Sequence, residues 1–151
     1  MKSTFYAEIL AQAKGLMNGE TDLIANMANL SAVIFNSMER INWAGFYLYK
    51  DEQLVLGPFQ GKPACIRIPV GRGVCGTAAA SRETQVVEDV HAFAGHIACD
   101  AASNSEIVVP LVHKGELIGV LDIDSPDFAR FDADDKVGVE ALANALMDTF
   151  Q

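Results

Sequence analysis

Cys99 stands in the stretch "GHIACDAASNSEIVVP", Gly95 to Pro110, with His96 three positions before it and Asp100 directly after. Core packing alone does not ask for a cysteine among small and polar residues ahead of an acid-led strand, and the residue types leave it a nucleophile, a metal ligand or neither. Two further cysteines accompany it. Cys75, in "GRGVCG", lies at the predicted entry to a helix, where free N–H groups and the helix dipole favour thiolate. Cys65, between Ala64 and Ile66, also fits the role of a small buried hydrophobe. Metal binding is the weaker option, because no C-x-x-C pair occurs and the cysteine spacings match no common zinc module. His91 and His96 are five positions apart and Gly95 argues against a helix there, so they would not share a helical face. Zinc stays open as a minor alternative.

A second set of chemistry-bearing residues is acidic. In "LIGVLDIDS" strand alternation puts Asp122 and Asp124 on the face of Ile118 and Val120, with Leu121 and Ile123 on the other. Two carboxylates one strand period apart repel each other, so a cation or a shared proton is expected between them. Glu106 opens the neighbouring strand. In "INWAGFYLYK" the aromatics Trp43, Tyr47 and Tyr49 share a face around Gly45. If these faces line one concavity, an aromatic wall stands opposite three carboxylates. Equally, the aromatics fit a core, Asp124-Ser125-Pro126 fits a strand end entering a turn, and Asp122 fits a solvated face.

The elements that must position these residues can be read from periodicity. "STFYAEILAQAKGLM", with Ser3 as N-cap, and "TDLIANMANLSAVIFNSME", with Leu23, Met27, Leu30 and Ile34 at helical spacing, predict two helices separated at Gly19. "INWAGFYLYK", "DEQ" and "LVLGPF" predict an antiparallel hairpin. A short strand in "ACIRIPV", a turn and short helix in "GRGVCGTAAASRE", and a short strand in "TQVVE" follow. Asp89 to Ser105 has little periodicity, and an irregular segment of that length in a small domain is more often functional than idle. "EIVVPLVHKGELIGVLDIDS" predicts a hairpin turning at Lys114-Gly115, and "DADDKVGVEALANALMDTF" a closing helix with acids near its start. The sum is an α+β sandwich, helices packed on an antiparallel sheet.

Bulk properties narrow the function classes. The chain's 151 residues, 50% hydrophobic, fit one domain, residues 1–151. A formal charge of −9 and scattered Lys and Arg exclude a phosphate-backbone binder, so no nucleic-acid partner is expected. Glu8, Gln12 and Lys14 interrupt the N-terminal segment, which lacks a signal-peptide core, and no stretch is apolar enough to span a bilayer. The expected location is the cytoplasm, with no membrane partner. There, three cysteines do not form a purely structural disulfide framework, and any disulfide is expected to be transient.

The motifs "NWAGFYL", "LGPFQGKPACIRI", "GRGVCGTAA", "VEDVHAFAGHIACDAASNSEIVVP" and "GVLDIDSP" together resemble the free methionine-(R)-sulfoxide reductases, enzymes built on a GAF domain. The resemblance covers nearly the whole chain. It implies a single GAF domain, a central antiparallel sheet flanked by N- and C-terminal helices, with a small closed pocket admitting free methionine sulfoxide. It further implies Cys99 as nucleophile, Cys65 and Cys75 as resolving or auxiliary thiols in either order, and Glu106, Asp122 and Asp124 in the pocket. Trp43 is then the wall that receives the substrate methyl, with Tyr47 beside it. No bound cofactor or metal is implied; thioredoxin is the external reductant, and a homodimer is compatible. A thiolate that attacks a sulfoxide needs an acid at the leaving oxygen, which Glu106 or Asp124 would supply, with Asp122 binding or positioning the substrate. The competing classes are a non-catalytic GAF sensor of a small ligand and a thiol redox switch.

Overall fold

A computed structural model describes residues 1–96 and 102–150. The chain opens with helices α1, Lys2–Met17, and α2, Leu23–Ser37. Asp22 caps α2, its side chain accepting from the Ala25 N–H at 2.9 Å, and Met27, Leu30 and Ile34 are buried as their spacing predicts. Ser3 is not the N-cap of α1. Met1 is the N-cap, without a side-chain hydrogen bond, and the first turn of the helix is tied instead to Asp132 and Asp135. Lys2 Nζ reaches Asp132 at 2.9 Å and Asp135 at 2.6 Å, while Tyr6 donates to Asp135 at 2.8 Å.

The strands are β1, Trp43–Lys50; β2, Gln53–Gly61; β3, Arg67–Pro69; β4, Gln85–Val87; β5, Ser105–His113; and β6, Glu116–Ser125. Helix α3, Gly73–Ser81, lies between β3 and β4, and α4, Ala133–Thr149, closes the fold. The six strands form one antiparallel sheet in the order β3-β2-β1-β6-β5-β4. The β5–β6 hairpin turns where predicted, with Lys114 and Gly115 both at positive φ, 51° and 80°. Two consecutive left-handed residues match the right-handed twist of the strands they join. Asp132 and Asp135 form a reciprocal capping box at the start of α4, which accounts for the acids there.

The alternation of β1, β5 and β6 divides the interior in two. Ala44, Phe46, Ile107, Val109, Leu121 and Ile123 face α1, α2 and α4 and join Met27, Leu30, Leu142 and Leu146 in the larger core. Trp43, Tyr47, Val108 and Val120 point to the other side, where α3 packs with Val74, Cys75 and Ala78. The helices thus cover the two faces unequally. Among the described residues, α1, α2 and α4 cover one face, and α3 packs on the other, where a cavity forms.

Candidate functional site

Strand register assembles the site. Trp43 pairs with Asp124, and Asp124 with Glu106, in one row across β1, β6 and β5. Two residues along, Gly45 pairs with Asp122. Because side chains two apart share a face, Trp43, Tyr47, Glu106, Asp122 and Asp124 converge on the α3 side of the sheet, where all five line one cavity. Cys75, in the first turn of α3, lines it from above. Of the two arrangements that alternation left open, the one with an aromatic wall opposite three carboxylates is found.

The wall is built by stacking. The Trp43 ring lies 5.2 Å from Phe59 at 15° and 6.0 Å from Tyr47 at 24°. Gly45 makes that closure fit: a Cβ there would lie 2.2 Å from Phe59 Cβ. Both polar tips are held, Trp43 Nε1 donating to the Lys62 carbonyl at 3.1 Å and Tyr47 Oη to the Cys65 carbonyl at 2.9 Å. Tyr49, predicted on the same face, stands apart from the cavity and is 38% exposed. Alternation fixes the face a residue occupies but not its distance along the strand, and Tyr49 is beyond the end of the site.

The acids share a strained electrostatic setting. Asp122 is only 5% exposed, and its Oδ1 has no hydrogen-bond partner. Burial, and then the adjacent Asp124, push its carboxyl well above the usual carboxylate range. Burial and Asp122 raise Glu106 likewise. Both carboxyls are thereby biased toward the protonated form.

Cys75 corrects an expectation. It occupies the helix start as predicted, but burial and the charges of Asp122, Glu106 and Asp124 push its thiol up, not down. Desolvation and three neighbouring acids outweigh the dipole of a nine-residue helix. Its Sγ donates toward Glu106 Oε2 at 3.8 Å, and among the described cysteines it carries the free thiol. Cys65, partly buried beside the smaller core, is disulfide-bonded, so it is not merely a buried hydrophobe. Cys99 lies outside the described residues.

Described residues of the irregular segment line the cavity. Val90, His96 and Ser103 line it, as do Ile68 and Arg72. Gly73 N–H donates to Gly95 O at 3.0 Å, joining this segment to the start of α3. His91 and His96 do meet, edge to face at 5.9 Å, through a 3-10 turn at Val90–Ala92 rather than along a helix. Burial and His91 lower the His96 pKa. Val90, Ser103 and Arg72 were not singled out from sequence; a lone hydrophobe, serine or arginine in a loop carries no periodic signal, although Arg72 lies within "GRGVCG". Cys75 Sγ and carboxylate oxygens of Glu106 and Asp122 all lie within 4.8 Å of one another, the spacing of a small cation's ligand shell. No helix among the described residues is long and apolar enough to cross a membrane.

Known proteins carry the same frame. A family model described as a GAF domain matches residues 25–151. The chain is 59% identical over 145 residues to the free methionine-R-sulfoxide reductase of Escherichia coli, covering 96% of this chain and 88% of that one. The chain belongs to the free methionine-R-sulfoxide reductase family. The family's yeast representative, from Saccharomyces cerevisiae, is 44% identical over 153 residues, covering 96% of this chain and 85% of its own. Among solved members, the enzyme of Neisseria meningitidis in complex with its substrate superposes with a TM-score of 0.96 at 48% identity, covering 99% of this chain and 90% of that one. The Staphylococcus aureus member, also solved with substrate, gives 0.93 at 50% identity over 97% and 95%.

Proposed function

We propose that this protein reduces free L-methionine-(R)-sulfoxide to methionine. The observation that carries the proposal is the cavity in which Glu106, Asp122 and Asp124 face the Trp43 wall, in a chain 59% identical to a reductase of that substrate. The Cys99 thiolate attacks the sulfoxide sulfur while Glu106 or Asp124 protonates or hydrogen-bonds the oxygen, and Trp43 and Tyr47 receive the apolar end of the substrate. Oxygen passes to the cysteine: methionine leaves, and Cys99 becomes a sulfenic acid. A second thiol then condenses with it, releasing water and forming a disulfide, which a dithiol donor such as thioredoxin reduces by exchange.

Two features support this division of labour. Cys65 is the thiol found in a disulfide while Cys75 is free and biased toward the neutral form, which favours Cys65 as the resolving residue. The buried acids also suit a free amino acid. A substrate ammonium would pair with Asp122, whereas a peptide-bound residue would leave that acid unmet, at about 1–3 kcal/mol per group.

The test is single-turnover methionine release by pre-reduced protein, without a recycling dithiol, from the R-epimer, the S-epimer and a peptide-bound sulfoxide. One methionine per chain from the free R-epimer, with loss of thiols and abolition in Cys99→Ser, is expected. Binding of the sulfoxide without thiol loss would overturn the proposal in favour of a ligand sensor. Oxidation by peroxide but not by sulfoxide would overturn it in favour of a redox switch.

A further inference from the structure

We infer that the cavity is also a binding site for a single borderline divalent cation, Zn2+ or Co2+, held by Cys75, Glu106 and Asp122 and excluding the sulfoxide while bound. The three ligands come from three elements, α3, β5 and β6, and their donor atoms lie within 4.8 Å of one another. A tetrahedral ion with bonds of about 2.3 Å to sulfur and about 2.0 Å to oxygen sets the sulfur–oxygen edge at about 3.5 Å. The Cys75–Glu106 separation is 3.8 Å, so this edge needs to close by only a few tenths of an ångström. An independent observation points the same way. Asp122 is 95% buried by its 5% exposure, lines the cavity, and has an Oδ1 with no hydrogen-bond partner, an acceptor ready for a cation.

Donor type selects the ion. One sulfur and two carboxylates suit Zn2+ or Co2+, with the fourth position left to water. Mg2+ and Ca2+ take about six or more oxygen ligands and do not favour a thiolate, so they are not matched here. On binding, Cys75 loses its thiol proton, and Glu106 and Asp122 any carboxyl proton they carry, to solvent as one sulfur–metal and two oxygen–metal bonds form, with no change of oxidation state. The ion then occupies Glu106 and Asp122 and masks Cys75 from oxidants. This ligand set has no local sequence motif, since its members are spread over residues 75 to 122.

The probe is Co2+ added to reduced protein with Cys65→Ser and Cys99→Ser, in which Cys75 is the sole remaining thiol. One equivalent of Co2+ should produce a sulfur-to-cobalt charge-transfer band and the visible bands of a tetrahedral ion. Both should vanish in the additional Cys75→Ser variant, checked for native folding by circular dichroism. Glu106→Gln or Asp122→Asn, which keep the thiol, should weaken binding at least the roughly 10–100-fold that loss of an outer-shell partner costs. Zn2+ should displace Co2+, and free methionine sulfoxide should compete with both. Absence of the band, or affinity unchanged in both carboxylate variants, would overturn the inference. A band that forms but survives saturating sulfoxide would overturn the mutual exclusion, and single-turnover methionine release by the wild-type protein would then show separately whether the sulfoxide reading of the pocket stands.

Discussion

Asp122 shows how a single residue can serve a site at the expense of the fold. Its carboxyl is buried, held beside Asp124 and raised above its ordinary pKa of about 3.9. An acid whose pKa rises on folding takes up a proton as the chain folds. Stability is therefore full below the unfolded value and falls as pH increases toward the folded one. Asp122→Asn removes that loss and should stabilise the protein at neutral pH by about 0.5–2 kcal/mol, the usual range for relieving a functional compromise. At about 2–4 °C per kcal/mol, thermal melts should resolve the gain. The gap from wild type should widen between pH 5 and pH 8, and a gap independent of pH would count against a titrating Asp122. A second expectation concerns Tyr47, whose hydroxyl holds the Cys65 carbonyl at 2.9 Å. Tyr47→Phe loses a hydrogen bond of about 1 kcal/mol, so disulfide formation after a single turnover should slow about fivefold, seen as a longer-lived sulfenic acid on trapping. Part of this scale was legible: alternation put Asp122 and Asp124 on one face, while Glu106 joined them only through the family resemblance. The charge state of Cys75 was not, because the acids that oppose the helix dipole are 31 and more positions away in the chain.

At the scale of elements, the site depends on how closely α3 can approach the sheet. Gly76 sits where an added Cβ would come within 2.5 Å of the Pro69 carbonyl and 3.1 Å of Gly71 N, and its own carbonyl accepts from Gly71 N–H at 2.8 Å. Gly76→Ala must push α3 away from β3, at about 1–3 kcal/mol as for other overpacked contacts. Since Cys75 is the preceding residue, activity should fall more than stability does; urea unfolding and initial rates on the same sample would separate the two. The order of helices and strands was readable from periodicity, and the Lys114-Gly115 turn from its residue types. Which strands become neighbours beyond the two hairpins was not: β1 pairs with β6 across more than sixty intervening residues, a contact set by the larger core rather than by any local pattern.

For the molecule as a whole, the first helix is joined to the start of the last. Lys2 and Tyr6 of α1 bind Asp132 and Asp135 at the start of α4, closing the layer of helices over the larger core. The hydrogen bond from Lys2 lowers the Asp132 pKa to about 2. A depressed acid adds stability that is present above its unfolded pKa of about 3.9 and is lost as pH falls through its folded value. Lys2→Ala should therefore shrink the stability difference between pH 5 and pH 2.5 relative to wild type, measured by chemical denaturation at each pH. Because Asp132 is more than half exposed, the effect should be small and should fade in high salt.

The stacked wall of the cavity has one more consequence. Trp43 is the chain's sole tryptophan, and it is packed between Phe59 and Tyr47 with its indole N–H fixed. The protein therefore carries its own optical reporter in contact with the pocket. Its emission should be blue-shifted in the empty state and should change when a sulfoxide dipole or a paramagnetic ion enters, so occupancy can be followed by fluorescence without a label, coupling enzyme or mutation.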